Sequence, residues 1–234
     1  MKVSVILPTY NESGNIVKLV SEIIRVLSKH YIFEVLVVDD NSPDGTHDLV
    51  KREFRKDKRV KPVLRTKDRG FAKSIRAGIE KASFDQVIVM DTDFTHDPKE
   101  IPNLLHVGQI YDFVSGSRFA PGGNMQSTGH YLVSLLYNWL LRIILRTQVQ
   151  DNLGGYFTTK KKYILDLPRD IIFQGYGEYY FRLIFFLQRR KKSVVEIPAI
   201  YATRSKGKSK SNFLKMMIIY LHSALKLKFS HQNS

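Results

Sequence analysis

At 234 residues, with 43% hydrophobic and 25% charged positions, the chain can bury one sizeable core, which excludes wholesale disorder. It contains no cysteine, which excludes disulfides and thiolate metal sites and fits a reducing compartment. A formal net charge of +15 calls for an anionic partner: nucleic acid, an anionic membrane surface or a phosphorylated small molecule.

The first half alternates short apolar runs with helical patterns, the signature of βαβ units in a mostly parallel sheet with helices on both faces. Strands are predicted at 3–7, 34–38, 60–64, 86–90 and 113–115. The first run breaks at Pro8, short of a signal-peptide core. Ser13 is expected to cap a helix carrying Ile16, Leu19, Val20, Ile23 and Ile24, and Asp44 or Ser42 to cap the next. Asp97 followed by Pro98 reads as a cap with proline at the first helical position.

The second half changes character. It holds an apolar helix over 131–145, a glycine pair at Gly154 and Gly155, an aromatic-rich helix over 176–187, a strand at 194–197, a Lys/Ser/Gly run at 205–211 and a final helix. Arg142 interrupts the first apolar helix, and Lys215, His222 and Lys226 interrupt the last, so neither reaches the ~18 apolar residues expected of a membrane span. From Ile197 onward there is no Asp or Glu but there are seven Lys and Arg.

In an open parallel sheet, ligands bind beyond the carboxyl ends of the strands, so the loops starting at Pro8, Asp39, Thr66 and Asp91 should share one crevice. Asp91-Thr92-Asp93 follows an apolar strand directly, and two carboxylates one residue apart can hold a hard divalent cation that neutralises a diphosphate. Asp40, at the end of the second strand, is placed to accept hydrogen bonds from a base or ribose, while Tyr10 and Glu12 put a ring and a carboxylate over the same crevice.

Three ordered motifs carry a resemblance. Pro8-Thr9-Tyr10-Asn11-Glu12, the run from Val37 to Thr46 and the run from Met90 to Pro98 resemble the inverting GT-A glycosyltransferases of the large second family. Arg65-Thr66-Lys67 with Gly70, Gly116-Ser117-Arg118-Phe119, Gly155-Tyr156-Phe157, Val195-Glu196-Ile197-Pro198, and Arg204 with Gly207 and Ser209 are similar to its dolichol-phosphate mannosyltransferase and polyprenyl-phosphate hexosyltransferase branch.

The resemblance implies a GT-A (Rossmann-like) catalytic domain over 1–210, followed by a basic amphipathic helix and tail over 211–234 that lies at a membrane interface or packs on the domain or a partner. It implies inverting transfer of mannose or glucose from a nucleotide-diphosphate sugar to a polyprenyl phosphate, GDP-mannose being favoured over UDP-glucose. Pro8, Tyr10, Glu12, Val38 and Asp40 would face the nucleoside. Asp91, Thr92 and Asp93 would face the diphosphate, with Asp91, Asp93 and Thr95 toward Mg or Mn. Arg118, His130, Ser134 and Arg204 would face the acceptor phosphate, and Asp91, Asp93, Arg118 and Arg204 would carry catalysis. It also implies a peripheral position at the cytoplasmic face of a membrane, for which a separate anchoring subunit is a compatible partner.

Departures from the family pattern are Thr92 for Ala, Thr95 for a metal-assisting Gln, His130 for an Arg, and the Gly154-Gly155 pair for Ser-Gly. Glu178 is open between a sugar contact and a capping or solvated role, and the neighbouring aromatics between core and lipid groove. In the alternative reading the acceptor is a saccharide hydroxyl, which needs a carboxylate base, and Asp151 is the candidate. A nucleic-acid-binding module rests on charge alone, without a module signature, so no nucleic-acid partner is expected.

Overall fold

The computed structural model describes the backbone of residues 1–125, 128–202 and 213–230, and the side chains of 1–125, 131–202 and 215–230. β1 (Lys2–Thr9), α1 (Ile16–Leu27), β2 (Ile32–Asp39), α2 (Thr46–Glu53), β3 (Val60–Leu64), α3 (Phe71–Lys81) and β4 (Gln86–Val89) form the expected alternation. A 3₁₀ turn at Pro98–Glu100, α4 (Ile101–Val107), β5 (Phe113–Ser117), β6 (Asn124–Met125) and α5 (Thr128–Leu145) follow. The remainder comprises β7 (Phe157–Lys160), α6 (Lys161–Leu165), α7 (Arg169–Ile172), α8 (Glu178–Arg189), β8 (Val194–Pro198), β9 (Ile200–Tyr201) and α9 (Phe213–Ser230).

The main sheet runs β3-β2-β1-β4-β7-β5-β8, and β6 pairs with β9 in a small second sheet. β7 runs antiparallel to both its neighbours, and the other pairings are parallel. It was not among the predicted strands, because Phe-Thr-Thr-Lys carries one large apolar side chain and no alternation long enough to read. Tertiary contacts make it a strand: Thr158 and Thr159 are buried, and the Thr158 hydroxyl accepts from Gln86 Nε2 at 2.7 Å and donates to the Val87 carbonyl at 2.9 Å.

Side-chain alternation divides the interior into two cores. Ile6, Leu36, Val38, Val87 and Val89 point to one face, covered by α3, α5, α8 and α9. Val5, Leu7, Val35, Val37, Ile88 and Met90 point to the other, covered by α1, α2 and α4. Both cores are continuous along the strands, as a sheet covered on both faces requires.

The caps depart in part from expectation. Asp97 accepts the Lys99 N–H at 2.9 Å with Pro98 at the first helical position, as expected. Ser13 does not cap α1: its N–H donates to Asp44 Oδ2 at 3.0 Å, and the Glu12 carbonyl accepts the N–H groups of Asn15 and Ile16 instead. The cap position of α2 is Gly45 (φ 78), and Asp44, one residue before it, accepts the Thr46 N–H at 3.1 Å, whereas Ser42 is drawn to Asp39.

The final helix does not stand apart from the domain. Tyr220, Ala224 and Leu227 of α9 are buried against α5 and α8. Tyr137 on α5 donates to the Met217 carbonyl at 2.6 Å, and Gly177 donates its N–H to the Tyr220 hydroxyl at 3.0 Å. The expected boundary at 210 lies outside the described residues.

Candidate active site

A cleft of about 940 Å³ opens at the carboxyl ends of the strands. The loops after β1, β2, β3 and β4 line it with Pro8, Tyr10, Glu12, Asp40, Arg69, Gly70, Asp91, Thr92 and Asp93, so the expected common crevice is present. Tyr176 and three residues of α9, Lys215, Met216 and Ile219, complete its wall. Each of the four loops turns through a left-handed residue, Asn11 (φ 58), Asn41 (φ 59), Asp68 (φ 52) and Phe94 (φ 66). Asparagine tolerates this region, but a phenylalanine there is an outlier of the kind that clusters at functional loops.

Asp40 lines the cleft and is already engaged. Its carboxylate accepts the Gly70 N–H at 2.6 Å and pairs with Arg65, whose guanidinium also donates to Ser74 Oγ at 2.8 Å and to the Asp68 carbonyl. A carboxylate offers about four acceptor positions, so this clamp fixes its direction and leaves it able to accept from a further donor in the cleft. Tyr10 is 42% exposed and carries the Arg69 guanidinium 5.2 Å over its ring. Glu12 accepts from Asn15 Nδ2 at 2.8 Å. Val38 does not join them: its side chain is fully buried in the core below, where Gly78 of α3 packs on it.

Asp91, Thr92 and Asp93 sit together in the cleft, Asp91 about one-third exposed and the other two buried. Thr95 stands against the second carboxylate: its hydroxyl donates to Asp93 Oδ1 at 2.7 Å and its N–H to the same oxygen at 3.0 Å, which fixes the direction of that carboxylate. Behind them His96, fully buried, accepts the Asp91 N–H on Nδ1 at 2.9 Å and stacks on Tyr156 with centroids 4.8 Å apart. Burial drives its pKa down to about 4 against the opposing pull of Asp93, so the ring is neutral at pH 7.

Among the described residues no three His, Cys, Asp or Glu side chains gather into a complete metal cage. Two carboxylates on one strand end nonetheless fit a hard cation such as Mg²⁺ or Mn²⁺, which keeps water ligands and takes phosphate oxygens from its substrate. The site suits a metal shared with a bound diphosphate.

Arg118, just beyond β5, does not line this cleft. Its Nε donates to Asp151 Oδ2 at 2.8 Å and its Nη2 to Oδ1 at 2.7 Å, while the guanidinium lies 5.1 Å over the Tyr201 ring. Burial alone would lower its pKa, and the Asp151 charge and hydrogen bonds overcome that, holding it above the ordinary value. Ser134 is half-buried on α5. The His130 side chain and Arg204 lie outside the described residues. Glu178, the first residue of α8, is buried, accepts the Tyr176 N–H at 2.9 Å and does not line the cleft. Of the aromatic group, Tyr179, Tyr180, Phe181, Phe185 and Phe186 are core, and Tyr176 alone reaches the cleft. Sequence reasoning missed Arg69, Phe71, Ser74 and the α9 residues as cleft wall, although the Gly70 turn before α3 was a signal for the first three.

A family model described as Glycosyl transferase family 2 matches residues 4–167. The chain belongs to glycosyl transferase family 2. The chain is similar to the dolichol-phosphate mannosyltransferase of Pyrococcus furiosus, 33% identical over 215 residues, with the match spanning 90% of this chain and 59% of that protein. It is 32% identical to the undecaprenyl-phosphate mannosyltransferase of Micrococcus luteus, over 90% of this chain and 87% of that one. The Saccharomyces cerevisiae dolichol-phosphate mannosyltransferase is 29% identical, over 96% and 86%. Among solved structures, glucosyl-3-phosphoglycerate synthase from Mycobacterium tuberculosis, in complex with Mn²⁺, uridine diphosphate and phosphoglyceric acid, superposes with a TM-score of 0.73 at 18% identity, over 97% of this chain and 78% of that one. The GT-A fold expected from the motifs is therefore the fold observed, and as a family 2 member the chain is a glycosyltransferase.

Proposed function

We propose that this glycosyltransferase moves a hexose from a nucleotide-diphosphate sugar to a polyprenyl phosphate with inversion, GDP-mannose being the favoured donor and UDP-glucose the alternative. An acceptor phosphate oxygen attacks the anomeric carbon as the bond from that carbon to the diphosphate oxygen breaks. The nucleoside diphosphate departs with the electron pair. The observation that carries the choice of acceptor is Asp151. A sugar hydroxyl would need a base to take its proton, but the Asp151 carboxylate is fully buried and forked by Arg118. A phosphate is already anionic at neutral pH and needs orientation instead, for which Arg118, held by Asp151, is suited. The names of the relatives support the same class of acceptor.

The groups in and beside the cleft then divide by role. Pro8, Tyr10, Glu12 and Asp40 receive the nucleoside, and Asp91 and Asp93 hold a divalent metal that supplies charge neutralisation to the leaving diphosphate when bound. Arg118 and Ser134, with Arg204 and His130, orient the acceptor phosphate. Asp93→Ala should lower transfer by roughly 100-fold or more. Unchanged turnover in that variant would remove the assignment.

A lipid acceptor requires a lipid-facing surface, and α5 and α9 provide one. Leu132, Leu136, Trp139 and Ile143 form an exposed stripe along α5, and Ile218, Leu225 and Phe229 are exposed on the adjoining α9. Neither helix contains an Asp or Glu, whereas Arg142, Lys215, Lys226 and Lys228 are present. Among the described residues no helix is long and apolar enough to cross a membrane. Apolar stripes with basic flanks fit an anionic bilayer surface, peripherally at its cytoplasmic face.

Trp139 is the single tryptophan and is 60% exposed, so it reports directly on this surface. Its emission should shift to the blue on anionic vesicles, and Leu136→Asp should weaken binding about tenfold or more. A shift that depends on protein concentration without lipid would instead indicate a second copy on this face, and no shift with vesicles would contradict the membrane assignment.

A further inference from the structure

Arg118 and Ser134 are proposed to meet one phosphate, yet they sit on separate elements, just beyond β5 and on α5. The loop leaving α5 joins them through buried polar contacts. Asp151 and Asn152 are adjacent, both fully buried, and are engaged by different elements. Asp151 takes the fork of Arg118, and its carboxylate also accepts the Arg118 and Leu153 N–H groups at 3.2 Å each. Asn152 donates its N–H to Asn138 Oδ1 at 2.7 Å, and Asn138, fully buried on α5, donates Nδ2 to the Ser134 carbonyl at 2.8 Å.

The loop itself is pinned from β8 and by a contact of its own. Glu196 on β8 accepts the N–H groups of Gln150 and Asp151 at 2.6 and 2.8 Å. Thr147 donates to Asn152 Oδ1 at 2.7 Å. A buried amide that accepts from one element and donates to another fixes their relative position, because a shift of either leaves a polar group unpaired in a dry interior.

We propose that Asn138, Asp151 and Asn152 form a positioning brace that sets the Arg118 guanidinium in register with the Ser134 turn of α5, so that both meet the same acceptor phosphate. The inference rests on the polyprenyl-phosphate reading above. Asp151 occupies Nε and Nη2 of Arg118, which leaves Nη1, 4.0 Å from Met125 Sδ, as the edge turned to the acceptor. None of the three brace residues needs to touch substrate. Their effect passes through Arg118 and Ser134.

The test compares Asn138→Ala, Asp151→Asn and Arg118→Ala with the unaltered protein, using a short-chain polyprenyl phosphate in detergent as acceptor. Nucleotide affinity is measured separately by calorimetry with GDP and UDP in the absence of acceptor. The brace requires the acceptor KM to rise roughly tenfold in Asn138→Ala and in Asp151→Asn, the loss of one charge-assisted contact, with GDP and UDP affinity unchanged. In an Arg118→Ala background, Asn138→Ala should add little, because coupled residues are not additive.

Asp151→Asn keeps the shape of the side chain, so it remains informative if Asn138→Ala does not fold. Unchanged acceptor KM in Asn138→Ala and Asp151→Asn, with a raised KM in Arg118→Ala, would overturn the brace while leaving the acceptor reading intact. An equal loss of nucleotide affinity would overturn it as merely structural. An unchanged acceptor KM in Arg118→Ala itself would overturn both and locate the failure in the acceptor reading.

Discussion

His96 shows how one neutral side chain organises a charged site. Its Nδ1 accepts the Asp91 N–H at 2.9 Å, and its ring is sealed between Tyr156 and Tyr201, so protonation would break a hydrogen bond and bury a charge. The folded pKa of about 4 lies below the ordinary value of 6.5, so between those values the unfolded chain binds a proton that the folded chain refuses. Stability is therefore complete above pH 6.5 and is lost as pH falls toward 4. The part due to His96 is about 2 kcal/mol at pH 5. Urea denaturation at pH 7.5 and pH 5 should show His96→Asn losing about that much less than the unaltered protein over the same interval, and equal losses would contradict the buried neutral ring.

At the scale of elements, α3 depends on a residue that its own helix propensity disfavours. Gly78 faces the sheet, and a Cβ there would overlap Ile6 Cγ2 and lie 3.1 Å from Val38 Cγ2. Alanine would favour the isolated helix by about 1 kcal/mol. Overpacking in the core costs about 1–3 kcal/mol, so Gly78→Ala should destabilise on balance, read as a lowered denaturation midpoint. The same contact accounts for Val38: Asp40, two residues on and just past the end of β2, reaches the cleft, whereas Val38 is still within the strand and is covered by α3. The short strands β7 and β9 were illegible for a related reason. Their four and two residues are held by what surrounds them and carry no period of their own.

Across the whole molecule, the parts legible in sequence were those where chemistry and local pattern coincide. Asp40, Asp91 and Asp93 each stand at or just past the end of an apolar run, and the doubly covered sheet brings all three to one cleft. What could not be read was the return of the chain. The last helix lies outside the matched region at 4–167, yet folds back to place Lys215, Met216 and Ile219 in the cleft wall and Tyr220 in the core. Burial against α5 and α8 depends on tertiary contacts that its own sequence, with apolar residues on more than one side, does not specify. The cleft and the exposed apolar stripes thus share one helix, which places the donor site beside the surface proposed to meet lipid.

Transfer to a lipid phosphate leaves its product in the organic phase. The most direct measurement incubates the protein with labelled GDP-mannose or UDP-glucose, polyprenyl phosphate and Mn²⁺, and separates organic from aqueous phases, with a chelated control. The expected result is label in the organic phase from one of the two donors, lost on chelation. Label confined to the aqueous phase, as free sugar or as a glycosylated soluble saccharide, would contradict it.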